Sequence, residues 1–113
     1  MGELAIVCRQ LVAASDGSTE IGIVGPITHA TTPSLRDHLR LVIGASPSPR
    51  LRLDLSCCTN IDVDGMLALS VAQNAARARG GDLHLVDVPP LIERQLRNQD
   101  FDDLILDPTS DEG

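Results

Sequence analysis

Residues 50–86 read RLRLDLSCCTNIDVDGMLALSVAQNAARARGGDLHLV, and this stretch decides the fold. Leucines alternate with polar residues at its start, which is typical of a strand with one buried face. After the turn at residues 61–65, apolar residues recur at helical spacing up to a double glycine that ends the helix. A second alternating run follows at residues 82–88. The stretch therefore predicts a strand, a helix and a strand, and with them a sheet that contains parallel pairs.

The flanking sequence adds a hairpin before this unit and a helix on either side of it. Residues 4–14 and 19–27 are rich in β-branched and aliphatic residues, and the turn sequence SDGS separates them. Residues 32–43 carry a proline near a helix start and apolar residues at helical spacing. Residues 89–99 predict a short helix begun by prolines, and residues 101–107 predict a last strand or a helical turn. This order of elements predicts an α/β domain.

Length and composition predict one domain with an aliphatic core. The chain has 113 residues, of which 42% are hydrophobic, and Phe101 is its only aromatic residue. The net charge is -7, and residues 100–113 hold six acids and no base. Neither the scarcity of aromatic residues nor the acidic charge is typical of a protein that binds nucleic acid or an anionic membrane. We expect no nucleic-acid or membrane partner, a domain at residues 1–107, and an acidic disordered tail at residues 108–113.

The sequence contains no recognisable catalytic apparatus. All nine basic residues are arginines, which excludes lysine chemistry such as a P-loop or a Schiff base within this chain. The three histidines lack the spacing of a helical metal site, and no motif pairs a nucleophile with a base. Asp62 and Asp64, with Asp54 and Asp87, suggest a receiver-type magnesium site, but its acidic pair after the first strand is missing. We expect no enzymatic activity, no metal and no cofactor.

The termini and the cysteines indicate a cytoplasmic protein. No apolar run reaches the roughly 18 residues of a spanning helix, and the first residues contain an acid where a signal peptide is basic. Cys57 and Cys58 are adjacent, which fits reduced thiols better than a disulfide framework. A redox switch between them stays an alternative, although a vicinal disulfide closes a strained ring.

The helix that begins at DGM, within IDVDGML, presents two different faces at 100° per residue. We assign one face to the sheet because its small residues permit close packing. It comprises Leu67, Val71, Ala75 and Ala78, with Ala68 beside them. Met66, Leu69 and Gln73 then point outward beside the acidic helix start, and an apolar patch with a polar rim is typical of a protein contact. Coverage of this patch by another element is the alternative.

Residues 51–105 resemble the STAS domain family, in particular the bacterial anti-sigma factor antagonists. The landmarks are the strand LDLS, an Asp three residues before a Gly and an apolar residue at a helix start, the GG stop, a strand, a short helix and the closing FDDL. The upstream IVGPITHATTPSLRDHL is similar to the family's first helical crossover. The resemblance covers residues 4–106 and implies a single STAS domain with a mixed sheet of four to five strands and three to four helices.

The resemblance also implies a function. Antagonists of this family bind an anti-sigma factor, often a serine kinase with a GHKL-type ATPase fold, and so free a sigma factor to regulate transcription. The hydroxyl residue directly after the Asp is phosphorylated in the family, and the added charge of about -1.5 to -2 breaks the complex. Here Asp62 matches the Asp, Val63 the phosphoacceptor and Asp64 the second hydroxyl residue, while Gly65 and Met66 match Gly and Leu. Valine cannot accept a phosphate, so we expect the usual off-switch to be missing.

Three consequences of this substitution stay open. The protein is an antagonist that is always able to bind, or it is permanently weakened by the charge of Asp64, an acid that we also assign as the helix cap. The third alternative is a divergent STAS module outside a sigma pathway: a stressosome-like scaffold, a transporter accessory, or a redox sensor that uses Cys57 and Cys58. We expect a monomer or a weak homodimer. The predicted partner surface comprises Asp62, Val63, Asp64, Gly65, Met66, Leu69 and Gln73.

Overall fold

A four-stranded sheet organises the fold. The computed structural model describes residues 7–13 and 18–105. The strands are β1 (Val7–Ala13), β2 (Thr19–Ile27), β3 (Arg50–Ile61) and β4 (Asp82–Val86). They lie in the order β1-β2-β3-β4, with β2, β3 and β4 parallel and β1 antiparallel to β2. The helices are α1 (Thr32–Gly44), α2 (Val63–Ala78) and α3 (Pro90–Asn98), followed by a 3-10 turn at Asp102–Leu104.

The order of elements predicted from the sequence is confirmed. The hairpin pairs Val7 with Val24 and Ala13 with Thr19, and its turn at residues 14–17 lies outside the described residues. The segment after α3 is the helical turn of the two alternatives, with one parallel bridge between Leu85 and Ile105. The parallel part of the sheet has three strands, β1 is the fourth, and the described residues contain no fifth. The predicted tail at residues 108–113 also lies outside the described residues.

Aliphatic side chains that alternate along the strands form the core. In β3, Leu51, Leu53 and Leu55 are buried, whereas Arg50 and Arg52 are exposed, as the two-residue period of a strand requires. The parallel register joins leucines of β3 to leucines of β4, so that their side chains meet on one face of the sheet. Burial of each such side chain stabilises the fold by about 1.5–3 kcal/mol. The helices complete this core with Leu35, Leu39, Ile43, Leu69, Ile92 and Leu96.

The parallel register brings two loops together at the carboxyl ends of β2 and β3. Ile27, the last residue of β2, pairs with Ile61, the last residue of β3. The loop after β2 is held by Thr31, whose Oγ1 accepts a hydrogen bond from the Thr28 N–H at 2.9 Å and donates one to the Pro26 carbonyl at 2.7 Å. The start of α2 therefore lies beside an ordered loop, at the sheet edge where α/β folds commonly place their binding sites.

Candidate protein-binding surface

Asp62 joins the start of α2 to the loop after β2. Its Oδ1 accepts a hydrogen bond from the Gly65 N–H and its Oδ2 accepts one from the His29 N–H, both at 2.9 Å. Its own N–H donates to the Ile27 carbonyl at 3.1 Å. With an extended backbone (φ -116°, ψ -179°), Asp62 is the N-cap of α2. The prediction that Asp64 caps the helix is wrong: Asp64 lies exposed in the first turn, where its charge interacts favourably with the helix dipole.

Gly65 sets how α2 packs on the sheet. A Cβ at this position would lie 2.5 Å from the Ile27 carbonyl oxygen and 2.7 Å from Ile27 Cγ2. The helix approaches β2 this closely only because residue 65 has no side chain. Residues four and seven positions further along, Leu69 and Ala72, share the side of the helix that faces the core. The glycine therefore fixes the rotational setting of α2.

The two faces of α2 are the reverse of the prediction. Met66, Leu69 and Gln73 are only 2%, 0% and 4% exposed, whereas Leu67 and Val71 are 49% and 60% exposed. Three residues of the predicted partner surface thus lie on the buried face of the helix, and the prediction that they point outward is wrong. Gly65, also part of that predicted surface, is buried as well.

The buried position of Gln73 explains why the predicted orientation of α2 is wrong. The prediction placed the face with small residues against the sheet and left the glutamine in solvent. In the structure, Gln73 Nε2 donates a hydrogen bond to the Leu83 carbonyl at 2.8 Å and a longer one, 3.4 Å, to the Asp103 carbonyl. A buried amide with such partners avoids the cost of an unsatisfied polar group. Gly65 was the sequence signal that identifies the inner face.

The outer face of α2 carries three exposed aliphatic side chains at intervals of four residues. They are Val63, Leu67 and Val71, which we name the α2 stripe; Val63 is 44% exposed. His29 and Asp64 lie beside its start, with His29 Nδ1 3.9 Å from Asp64 Oδ2 and both side chains in solvent. An exposed pair at this distance contributes little to stability. The surface at the start of α2 is thus apolar along the helix and charged at its edge.

Cys57 and Cys58 point to opposite faces of β3. Cys57 is exposed, Cys58 is buried, and both thiols are free. Cys58 Sγ donates to the Asn60 carbonyl at 3.3 Å, and burial raises the pKa of this thiol. A disulfide between the two residues requires one side chain to cross the pleat of the strand. The geometry therefore does not favour the redox switch that the sequence left open.

Two of the aspartates near the strand ends, Asp54 and Asp62, are used in hydrogen bonds. Asp54 Oδ1 accepts a hydrogen bond from the Ser56 N–H at 2.8 Å, and both carboxylate oxygens of Asp62 are occupied as described above. Within residues 18–105, no three His, Cys, Asp or Glu side chains lie close enough together to hold a metal ion. The same part of the chain has no helix with the length and apolarity needed to cross a bilayer.

Comparison with known proteins identifies the family. The sequence model of the STAS domain family matches residues 11–113, nearly the whole chain. The chain belongs to the STAS domain family. The resemblance inferred from the sequence is thereby confirmed.

Several solved structures share the fold. An anti-sigma factor antagonist from Mycobacterium paratuberculosis is 24% identical over 88% of this chain and 82% of that chain, with a TM-score of 0.71. The Bacillus anti-sigma factor antagonist SpoIIAA, in its unphosphorylated form, is 13% identical over 95% and 90% of the two chains, with a TM-score of 0.73. The murine anion transporter Slc26a9 is 20% identical, with a TM-score of 0.66; the match covers 73% of this STAS domain and 14% of the transporter. No curated protein sequence matches. At these identities the likeness shows a shared fold.

Proposed function

We propose that this STAS domain is an anti-sigma factor antagonist that binds an anti-sigma factor and thereby releases a sigma factor, without catalysing a reaction. The observation that carries the proposal is the α2 stripe, a row of aliphatic side chains that the described elements leave in solvent. Burial of apolar surface is the main favourable term in most protein association, at roughly 25 cal/mol per Å². The shared fold with two anti-sigma factor antagonists supports this class of partner.

The proposed contact surface differs from the one predicted from the sequence. Val63 and Asp64 stay in it, since both side chains are exposed. Leu67 and Val71 take the place of the residues found in the core. Asp62 supports this surface indirectly. Its carboxylate accepts two hydrogen bonds that hold the helix start and the neighbouring loop in one fixed arrangement. A surface that is already ordered loses less conformational entropy on binding.

We further propose that this antagonist lacks the phosphorylation switch of its family. Val63 is the first residue of α2 and is partly exposed, so a serine at this place would be accessible to a kinase, whereas valine offers no hydroxyl. A phosphate here would add about -1.5 to -2 charge next to Asp64. Because that modification is unavailable at residue 63, the protein binds its partner whenever both are present. The single carboxylate of Asp64 has less charge and fewer acceptor oxygens than a phosphate. This argues against a permanent weakening of partner binding by Asp64.

The test uses a kinase-type anti-sigma factor, ATP and magnesium. The wild-type protein is expected to keep its mass and stay in the complex. The variant Val63→Ser is expected to gain one phosphoryl group and to dissociate, whereas Val63→Ala, its matched control, is expected to behave like the wild type. Phosphorylation of the wild type at Ser56, Thr59 or Ser70 that breaks the complex would contradict the missing switch. Failure of the wild type to bind any anti-sigma factor would contradict the antagonist proposal itself.

A further inference from the structure

A groove runs between α1 and α2, beside the α2 stripe. It encloses about 280 Å³. Small residues of α2 line it, namely Ala68, Ala72 and Ala75, and Val71 lies at one side. From Ala68 to Ala75 the groove extends along two helical turns, about 10 Å at 1.5 Å per residue. We name this feature the α1–α2 groove; its lining along α2 is apolar and free of bulky side chains.

Two arginines on α1 line the same groove. Arg36 and Arg40 are one turn apart and exposed. Within residues 18–105, neither forms a hydrogen bond or an ion pair, whereas Arg77 pairs with Asp82 at 2.9 Å. Arg79, at the end of the groove, is held by a hydrogen bond from its Nη2 to the Ser46 carbonyl at 2.9 Å. The groove therefore offers two guanidinium groups whose donors are available to a ligand.

The position of these charges is unusual for this chain. The protein carries a net charge of -7, yet the lining of the α1–α2 groove contains three arginines and no acid. Asp37 is exposed next to Arg36 in sequence but does not line the groove. Asp64 lines an adjoining pocket that shares Arg36, Ala68 and Val71 with the groove. The local potential favours an acidic ligand, although the protein as a whole repels one.

We propose that the α1–α2 groove binds an acidic amphipathic helix of a partner protein. An apolar groove accepts such a helix through anchors at positions i, i+3 or i+4, and i+7, which matches the two-turn length measured above. Asp and Glu residues on the flank of that helix meet Arg36 and Arg40, and arginine suits carboxylate recognition because its guanidinium donates two parallel hydrogen bonds. This proposal stands whether or not the partner is an anti-sigma factor.

The test is a titration of the full chain, labelled with ¹⁵N, followed by NMR. The probes are two synthetic helical peptides with the same leucine stripe, one flanked by glutamates and the other by lysines. The acidic peptide is expected to shift the amide signals of Ala68, Val71 and Ala75. The double variant Arg36→Glu, Arg40→Glu is expected to bind it at least tenfold more weakly and to prefer the lysine peptide. Arg94→Glu, a single charge reversal at an exposed site on α3, is the control and is expected to leave the affinity unchanged.

Several outcomes would overturn the proposal. These are the absence of shifts at millimolar acidic peptide, equal affinity for the two peptides, and shifts that map away from the groove. Shifts of Val71 that depend on protein concentration without any peptide would assign the groove to a second copy of this chain, and would overturn it too. The peptide titration contains no anti-sigma factor, so a negative peptide result leaves the antagonist proposal standing, and the two proposals are tested by separate experiments.

Discussion

The replacement of Asp62 by alanine tests the assignment of the helix cap. This change removes the hydrogen bond to the Gly65 N–H, a capping interaction that stabilises a helix by about 1 kcal/mol and by up to about 2. It also removes the hydrogen bond to the His29 N–H, which solvent replaces in part because that group is exposed. We expect the free energy of unfolding to fall by about 2 kcal/mol. For a domain of this size, the melting temperature then falls by about 6–12 °C.

Asp64→Ala is the matched control, because it removes the same charge from the same helix start. It should lose the favourable interaction with the helix dipole, about 0.3–1 kcal/mol, and the exposed pair with His29, which contributes little. Urea and thermal unfolding, followed by circular dichroism, measure both variants against the wild type, and equal urea m-values establish that the unfolded states are comparable. A loss of stability in Asp64→Ala that equals or exceeds the loss in Asp62→Ala would refute the cap assignment and with it the described geometry of the junction.

Three further predictions concern α2 and the cysteines. Met66→Asp should unfold the protein by placing a charge in the core, whereas Leu67→Asp should change the free energy of unfolding by less than about 1 kcal/mol; comparable unfolding curves would contradict the helix setting. Gly65→Ala should cost about 1–3 kcal/mol through overpacking against β2, and a gain in stability would show that the contact relaxes freely. Iodoacetamide should modify Cys57 in the folded protein and Cys58 only after unfolding. Since burial raises the pKa of Cys58 above its ordinary 9.0, the unfolded thiol ionises first, and the free energy of unfolding should fall as the pH rises above 9; Cys58→Ala should remove this part of the pH dependence.

The elements that follow from local pattern were predictable from the sequence. The alternating leucines of β3 need only a two-residue period to be recognised, and the double glycine after α2 marks a helix end whatever lies around it. The hairpin follows from two aliphatic runs on either side of a turn sequence. In each case the signal lies within about ten residues of the element that it predicts, so no distant contact had to be known.

The rotational orientation of α2 and the identity of its N-cap depend on contacts between residues that are distant in the sequence. Apolar residues occur on both faces of the helix, so the apolar pattern, taken without Gly65, does not identify the buried one. The buried face contains Gln73, and the hydrogen bond from Gln73 to the Leu83 carbonyl in β4 makes a glutamine acceptable in the core. Asp62 and Asp64 are equally good caps by residue type. The choice between them depends on where β3 ends beside β2, a register that the sequence does not display.

The affinity of the protein for an anti-sigma factor tests the central claim most directly. Isothermal titration calorimetry should compare the wild type with Leu67→Asp, in the α2 stripe, and Leu91→Asp, on the exposed side of α3. The two leucines are 49% and 59% exposed, so both changes place a charge on a similarly accessible site. We predict that the wild type and Leu91→Asp bind equally and that Leu67→Asp binds at least tenfold more weakly, a loss of about 1.4 kcal/mol. Binding of Leu67→Asp with wild-type affinity would contradict the proposed surface.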